Sequence, residues 1–388
     1  MSTLSELALP AEASVDASFI IKDIRASVHT ISIQIPLLSE KIAGFGREEQ
    51  TEFVFCEVET AAGVTGIGMT GQFLPHAVVE TLHTHILPLV RGMDVRDVEA
   101  VHSRVWWKLN ARAMTGVISS ALSCLDIAMW DIHGKGVDRT IAGLLGGARK
   151  NVPAYCTFGF PQYDLDLLAE AAKLHVANGF KGLKLVVAVD KGGWREDARR
   201  VRKVRDAVGD DIDIMIDANY LFNPVQAKQL CRAIEDCNIT WFEEPLHQND
   251  ARAMHDLRRS TRIPIAGGQN EGHRWRLREL VEKHAVDILQ PNCCFNGGYT
   301  ETRKAAHLAQ AYNLPIANGG GWPLFNMHTM AGLMNGWYVE WHLGIVPIGE
   351  AFFKDAPVPV NGEITLSDKP GLGLTVDYDA VRSTRVKP

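Results

Sequence analysis

The chain is short of several things, and each shortage closes a class of function. Its seven cysteines make an odd number with no CxxC spacing, which argues against a disulfide framework or a thiolate zinc site. Reduced thiols in the cytoplasm are the simpler reading. No Lys/Arg run is long enough to form a nucleic-acid surface, and the net charge is −6. The N-terminal stretch MSTLSELALPAEASVDAS has neither a basic leader nor an apolar core, so we read it as no signal peptide. No apolar stretch is long enough to span a bilayer.

What remains is ordinary for a globular protein, with 46% hydrophobic and 22% charged residues. At 388 residues two domains are expected. Residues 1–18, small and polar, read as a disordered tail. From Ile20, IIKDIRASVHTISIQI and TEFVFCEVETAAGVTGIGMT alternate like antiparallel strands. Helical segments follow, and GVISSALSCLDIAMWDIHGKG is apolar on more than one face, as a helix between layers must be. Residues 19–150 therefore read as an α+β module.

From Val152 onward, eight short apolar runs alternate with helical segments, from VPAYCTF through KGLKLVV and ITWFEE to WYVEWH. This pattern predicts an α/β fold, a (β/α)8-type TIM-like barrel over 151–350. Residues 351–388 read as a C-terminal segment that packs back on the first module and completes it.

Three of the runs end in oxygen ligands: IDIMID at Asp217, ITWFE at Glu243 and IPIAGGQ at Gln269. The spacing is 26 in both steps (243 − 217 and 269 − 243), close to the roughly 30 residues of a βαβ unit. Equal spacing puts these side chains at one end of successive parallel strands. Two carboxylates and an amide oxygen are hard donors suited to Mg²⁺, with Gln269 or its neighbour Asn270 as the third. Lys184 ends a strand within an apolar run, so its ammonium must face the barrel mouth or be paired. There it can contact a substrate carboxylate or act as a base. Asn219, Asn292 and Asn318 end strands three, six and seven and are candidates to bind substrate hydroxyls. Glu244 has the opposite parity to Glu243 and reads as a structural partner.

The motifs ALSCLDIAMWDIHGKGVDRTIAGLLGG, DAN at 217–219, WFEEP at 241–245 and PGLGLTVD resemble the enolase superfamily, in its mandelate racemase and muconate lactonizing enzyme group. The resemblance implies an α+β capping domain over a modified barrel. It also implies Mg²⁺-assisted removal of a proton alpha to a carboxylate through an enediolate. Asp217, Glu243 and Gln269 take the metal positions, Gln269 where a Glu is usual, and Glu340 takes that of a proton donor to the enediolate. The usual bases are replaced: Val186 stands for a lysine, Asn292 for an aspartate and Gly319 for a histidine. If Lys184 is not the base, His328, His273 with Glu271, and His76 are candidates. With no pair of opposed bases, a sugar-acid or hydroxy-acid dehydratase is expected. A racemase or epimerase and a non-catalytic binding descendant are the alternatives. A Schiff-base barrel enzyme built on Lys184 is a further one. The substrate is a small carboxylate, held under capping loops near Gly44–Glu48 and Gly71–His76. A cytoplasmic homo-oligomer without nucleic-acid or membrane partners completes the expectation.

Overall fold

The computed structural model describes residues 16–35, 47–71, 73–109 and 115–387. The expected tail up to residue 15 and most of the loop before Arg47 lie outside them. Strands β1 (Ile21–Ile35), β2 (Arg47–Thr60) and β3 (Thr65–Gly71) form an antiparallel sheet in that order. The helix Val117–Gly136 lies directly on β3. A Cβ at Gly68 would meet the Cys124 carbonyl oxygen at 2.0 Å, and one at Gly66 would meet that of Ala128 at 2.2 Å. Only glycine permits backbones to approach this closely. The helix is buried on nearly every side, which is why its apolar residues do not keep to one face.

The second unit is a parallel barrel. Strands β4 (Asn151–Phe158), β5 (Gly182–Val186), β6 (Asp213–Asp217), β7 (Ile239–Glu243), β8 (Ile265–Gly267) and β9 (Ile288–Leu289) pair in sequence order. Ile316 bridges Leu289 on one side and Gly336 on the other, and β10 (Val339–His342) pairs with β4. All eight runs thus occupy barrel positions, the seventh through a single bridging residue. Some helices between them begin at side-chain caps: Asp164 accepts from the Leu167 amide at 2.8 Å, and Asn223 forms a capping box with Gln226. Positive-φ residues Gly179, Gly209 and Asn238 stand at the turns back to strands.

The barrel interior is layered by strand periodicity. Tyr155, Met215, Trp241, Ala266, Ile288, Ala317 and Tyr338 form an apolar floor. Two residues further along β4, β6, β7 and β10 stand Thr157, Asp217, Glu243 and Glu340, the polar layer above it. Beyond the barrel, β11 (Glu363–Thr365) pairs antiparallel with β4. The helix Tyr378–Thr384 ends against β1, where the Val386 amide donates to the Val28 carbonyl at 2.9 Å. Among the described residues no helix is long and apolar enough to cross a membrane.

Candidate active site

The polar layer centres on Lys184, which is buried at 1% exposure. Its ammonium reaches Glu243 Oε1 at 2.5 Å, Glu340 Oε1 at 2.8 Å and Asp217 Oδ2 at 3.1 Å. Glu243 takes one of its N–H donors as a hydrogen bond, and Glu340 and Asp217 close the shell as ion pairs. The geometry explains the charge states. Burial pulls the Lys184 pKa down, but Glu243, Glu340, Tyr155 and Asp217 together hold it well above its ordinary value. Burial pushes Glu243 up to about 8 against the opposing pull of Lys184. Glu340 is also desolvated, yet Lys184 and its hydrogen bonds hold it below its ordinary value.

Each carboxylate is fixed from behind. Glu243 Oε2 accepts from Trp241 Nε1 at 3.0 Å and Gln290 Nε2 at 2.8 Å. Glu340 accepts from Thr157 Oγ1 at 2.5 Å and from the Gly321 amide at 2.7 Å. Asp217 Oδ1 accepts from the Asn219 amide at 2.8 Å. Even with Glu243 protonated, two carboxylates against one ammonium leave net negative charge in a buried layer, which favours a further cation.

Gln269 lies beside this layer. Gly268 has φ +119°, a turn that breaks the strand parity after β8. The Gln269 Nε2 group donates to Glu244 Oε2 at 2.7 Å. With Nε2 engaged there, the amide oxygen faces the other way. That oxygen is buried and has no hydrogen-bond partner among the described residues. A Cβ built on Gly319 would stand 2.7 Å from Gln269 Oε1 and 3.0 Å from both Glu243 Oε1 and Gln290 Nε2. The glycine thus leaves a small space bounded by a bare amide oxygen and a carboxylate. Among the described residues no three His, Cys, Asp or Glu side chains alone are arranged to hold a metal. Asn270 turns away, donating to the Tyr220 hydroxyl at 2.9 Å. Glu244 is fully buried and also accepts from Tyr220 and Asn249. Its desolvation raises its pKa well above the ordinary value.

The other candidate residues are placed unevenly. Asn219 is exposed at the mouth, in the left-handed region at φ +45°. Asn292 and Asn318 are buried, and both donate to the Gly319 carbonyl, at 2.7 and 2.9 Å. Asn318 also donates to the Gly321 carbonyl at 3.1 Å, while Asn326 donates to Asn292 Oδ1 at 3.0 Å. These amides therefore fix the glycine turn 319–321. His328 is buried in the helix Pro323–Gly332 with its ring 6.3 Å from that of Tyr299, and burial lowers its pKa to about 4. His273 lies against Trp106 and Glu301, and His76 is exposed 4.0 Å from Glu52. None of the three bonds the carboxylates around Lys184 among the described residues.

One residue escaped the sequence reading. His342 has the same strand parity as Tyr338 and Glu340, one layer nearer the mouth, and lies in the field of Glu340, Lys184 and Asp217. Counting by two from Glu340 was the signal that could have found it.

The chain was compared with known proteins. Residues 166–381 match the family model described as enolase C-terminal domain-like, and residues 20–146 match that of the mandelate racemase / muconate lactonizing enzyme N-terminal domain. It is 31% identical to arabinonate dehydratase of Saccharolobus solfataricus, over 85% of this chain and 89% of that protein. It is also 31% identical to D-galactarolactone cycloisomerase of Agrobacterium fabrum, over 88% and 93%. Among solved structures, L-talarate/galactarate dehydratase liganded with Mg and L-glucarate superposes with a TM-score of 0.85 at 25% identity, covering 98% of this chain and 95% of that one. A racemase from Streptomyces coelicolor with bound magnesium superposes at 0.85 and 26% identity, covering 95% and 100%.

Proposed function

The chain belongs to the mandelate racemase/muconate lactonizing enzyme family of the enolase superfamily, and from that premise we propose that it is a Mg²⁺-dependent sugar-acid dehydratase. The observation that carries the metal is the bare Gln269 oxygen, turned by Glu244 toward the space it shares with Glu243. Asp217, Glu243 and Gln269 are its ligands. Bound there, a divalent cation would supply Lewis-acid stabilisation of the enediolate and would neutralise two of the three carboxylates that keep Lys184 an ammonium.

Lys184 and Glu340 then form the acid–base pair. One Lys184 proton passes to Glu340 Oε1, 2.8 Å away. The free amine at Nζ takes the proton alpha to the substrate carboxylate, and the protonated Glu340 returns its proton to the departing β-hydroxyl, which leaves as water. Lys184 ends as ammonium and Glu340 as carboxylate, so one water leaves per turnover. Thr157 and the Gly321 amide hold Glu340 in place for this exchange. Val186 and Gly319 offer no second base on another face, which favours dehydration over racemisation. Asn219, at the mouth, is available to substrate hydroxyls, whereas Asn292 and Asn318 contribute through the glycine turn. His328 takes no part in this scheme. The same reading has the enzyme work in the cytoplasm, with its seven buried thiols reduced, and as a homo-oligomer.

The test is NMR in D₂O with arabinonate, xylonate, rhamnonate and galactarate, with and without Mg²⁺. The expected result is metal-dependent loss of the β-hydroxyl to give a 2-keto-3-deoxy acid. Exchange without dehydration would favour an epimerase. Mg²⁺ binding by calorimetry with no exchange of any acid would make the protein a binding descendant.

A further inference from the structure

His342 sits above the acid–base pair with one nitrogen engaged. Its Nδ1 accepts the Gly344 backbone N–H at 3.0 Å. A backbone amide can only donate, so Nδ1 carries the lone pair and the proton of the neutral ring lies on Nε2. Burial favours that neutral ring, lowering its pKa against the pull of Glu340. Phe160 flanks the imidazole at 5.8 Å between ring centroids. Gly344 leaves the ring its room: a Cβ there would stand 3.1 Å from Cε1. The side chain is partly exposed, at the mouth rather than in the floor.

From this geometry we infer that His342 is a specificity residue, a neutral imidazole whose Nε2–H donates a hydrogen bond to an oxygen of the bound acid beyond its carboxylate. This rests on the sugar-acid reading above, because it needs a ligand with hydroxyl or carbonyl oxygens at that depth. His342 is not a base in this assignment: Nε2 has no lone pair to offer, and Nδ1 is turned to Gly344. It selects against acids whose second or third carbon bears only hydrogen, since the donor would then be left without an acceptor.

Two measurements test it. In protein labelled with ¹⁵N-histidine, long-range ¹H–¹⁵N spectra give each ring's tautomer, and the signal lost in His342→Gln assigns position 342. A proton on Nε2 is expected; a proton on Nδ1, or a doubly protonated ring at pH 7.5, overturns the assignment. Calorimetry with galactarate, arabinonate, xylonate and rhamnonate then compares His342→Phe with His342→Gln in the presence of Mg²⁺. Loss of one such hydrogen bond corresponds to roughly tenfold weaker binding. The Phe variant should show this, and the Gln variant, which keeps an N–H donor, should recover most of it. Equal affinities in the wild type and both variants overturn the role of His342 alone. Wild-type protein that binds none of the four acids overturns the sugar-acid reading and removes the acceptor proposed here, whatever the tautomer.

Discussion

Replacing Lys184 by methionine tests the charge balance of the polar layer directly. The substitution keeps most of the unbranched stem and removes the ammonium that three carboxylates share. Removing one partner of a buried ion pair costs about 3–5 kcal/mol, because the opposite charge is left uncompensated. Unfolding entropy near 2.1 cal/mol/K per residue gives about 0.8 kcal/mol/K for 388 residues. The melting temperature of the metal-free variant should therefore fall by roughly 4–6 °C. Added Mg²⁺ should recover a large part of the loss, since a divalent ion at Asp217 and Glu243 replaces the missing positive charge. The assay is differential scanning calorimetry at pH 8 in EDTA and in 5–10 millimolar MgCl₂ (concentrations on the order of those that saturate weak carboxylate sites). A K184M protein as stable as the wild type in EDTA would refute the view that the ammonium neutralises this layer. Equal losses in EDTA and Mg²⁺ would refute the shared position of ammonium and metal.

Gln269→Glu places a second carboxylate beside Glu244, so the metal-free protein should melt lower while the Mg²⁺-induced rise in melting temperature grows; the opposite pair of changes would place the metal elsewhere. His29 tests the seam between β1 and the C-terminal helix. Its ring meets Ser27 and Thr384 and packs against Phe53 and Phe352, and burial lowers its pKa to about 4. The unfolded chain then binds the proton more tightly, so stability is full above about pH 6.5 and is lost as the pH falls toward 4. The whole effect is on the order of 2–3 kcal/mol. In His29→Phe the decline in melting temperature between pH 7 and pH 4.5 should be visibly flatter than in the wild type, and an unchanged decline would assign it to other groups.

Much of this was legible before the structure. The 26-residue step from Asp217 to Glu243 to Gln269 marked three successive strand ends, because a βαβ unit has a nearly fixed length. Period-two alternation gave the antiparallel sheet, and the all-round apolar helix gave the layer between cap and barrel. Side-chain direction beyond a strand end was not legible. Gly268 turns the chain so that Gln269 faces the space beside Glu243 and Asn270 does not, and a turn is set by φ, which sequence spacing does not encode. The asparagines at 292 and 318 read as mouth residues, but the carbonyls of a glycine turn lie closer to them than the open mouth does. His342 was hidden for a different reason: a lone histidine at the end of the run WYVEWH has no partner at a regular step, and only the count of two from Glu340 marks it.

The helix Val117–Gly136 carries one more consequence, in time rather than in space. Asp126 accepts from the Thr300 amide at 3.1 Å and bonds His102 at 2.8 Å. Asp131 accepts from the Ile67 amide at 3.1 Å and from the Leu372 amide at 2.9 Å. Both carboxylates are buried, and neither finds all its donors until the chain has been made as far as residues 300 and 372. During synthesis this helix can form early, but Asp131 lacks its Leu372 donor until only about the last twenty-fourth of the polypeptide remains to be made. Large sequence separations of this kind slow folding. The N-terminal module is therefore a late-maturing part of the molecule, and its completion is a signal that the whole chain has arrived.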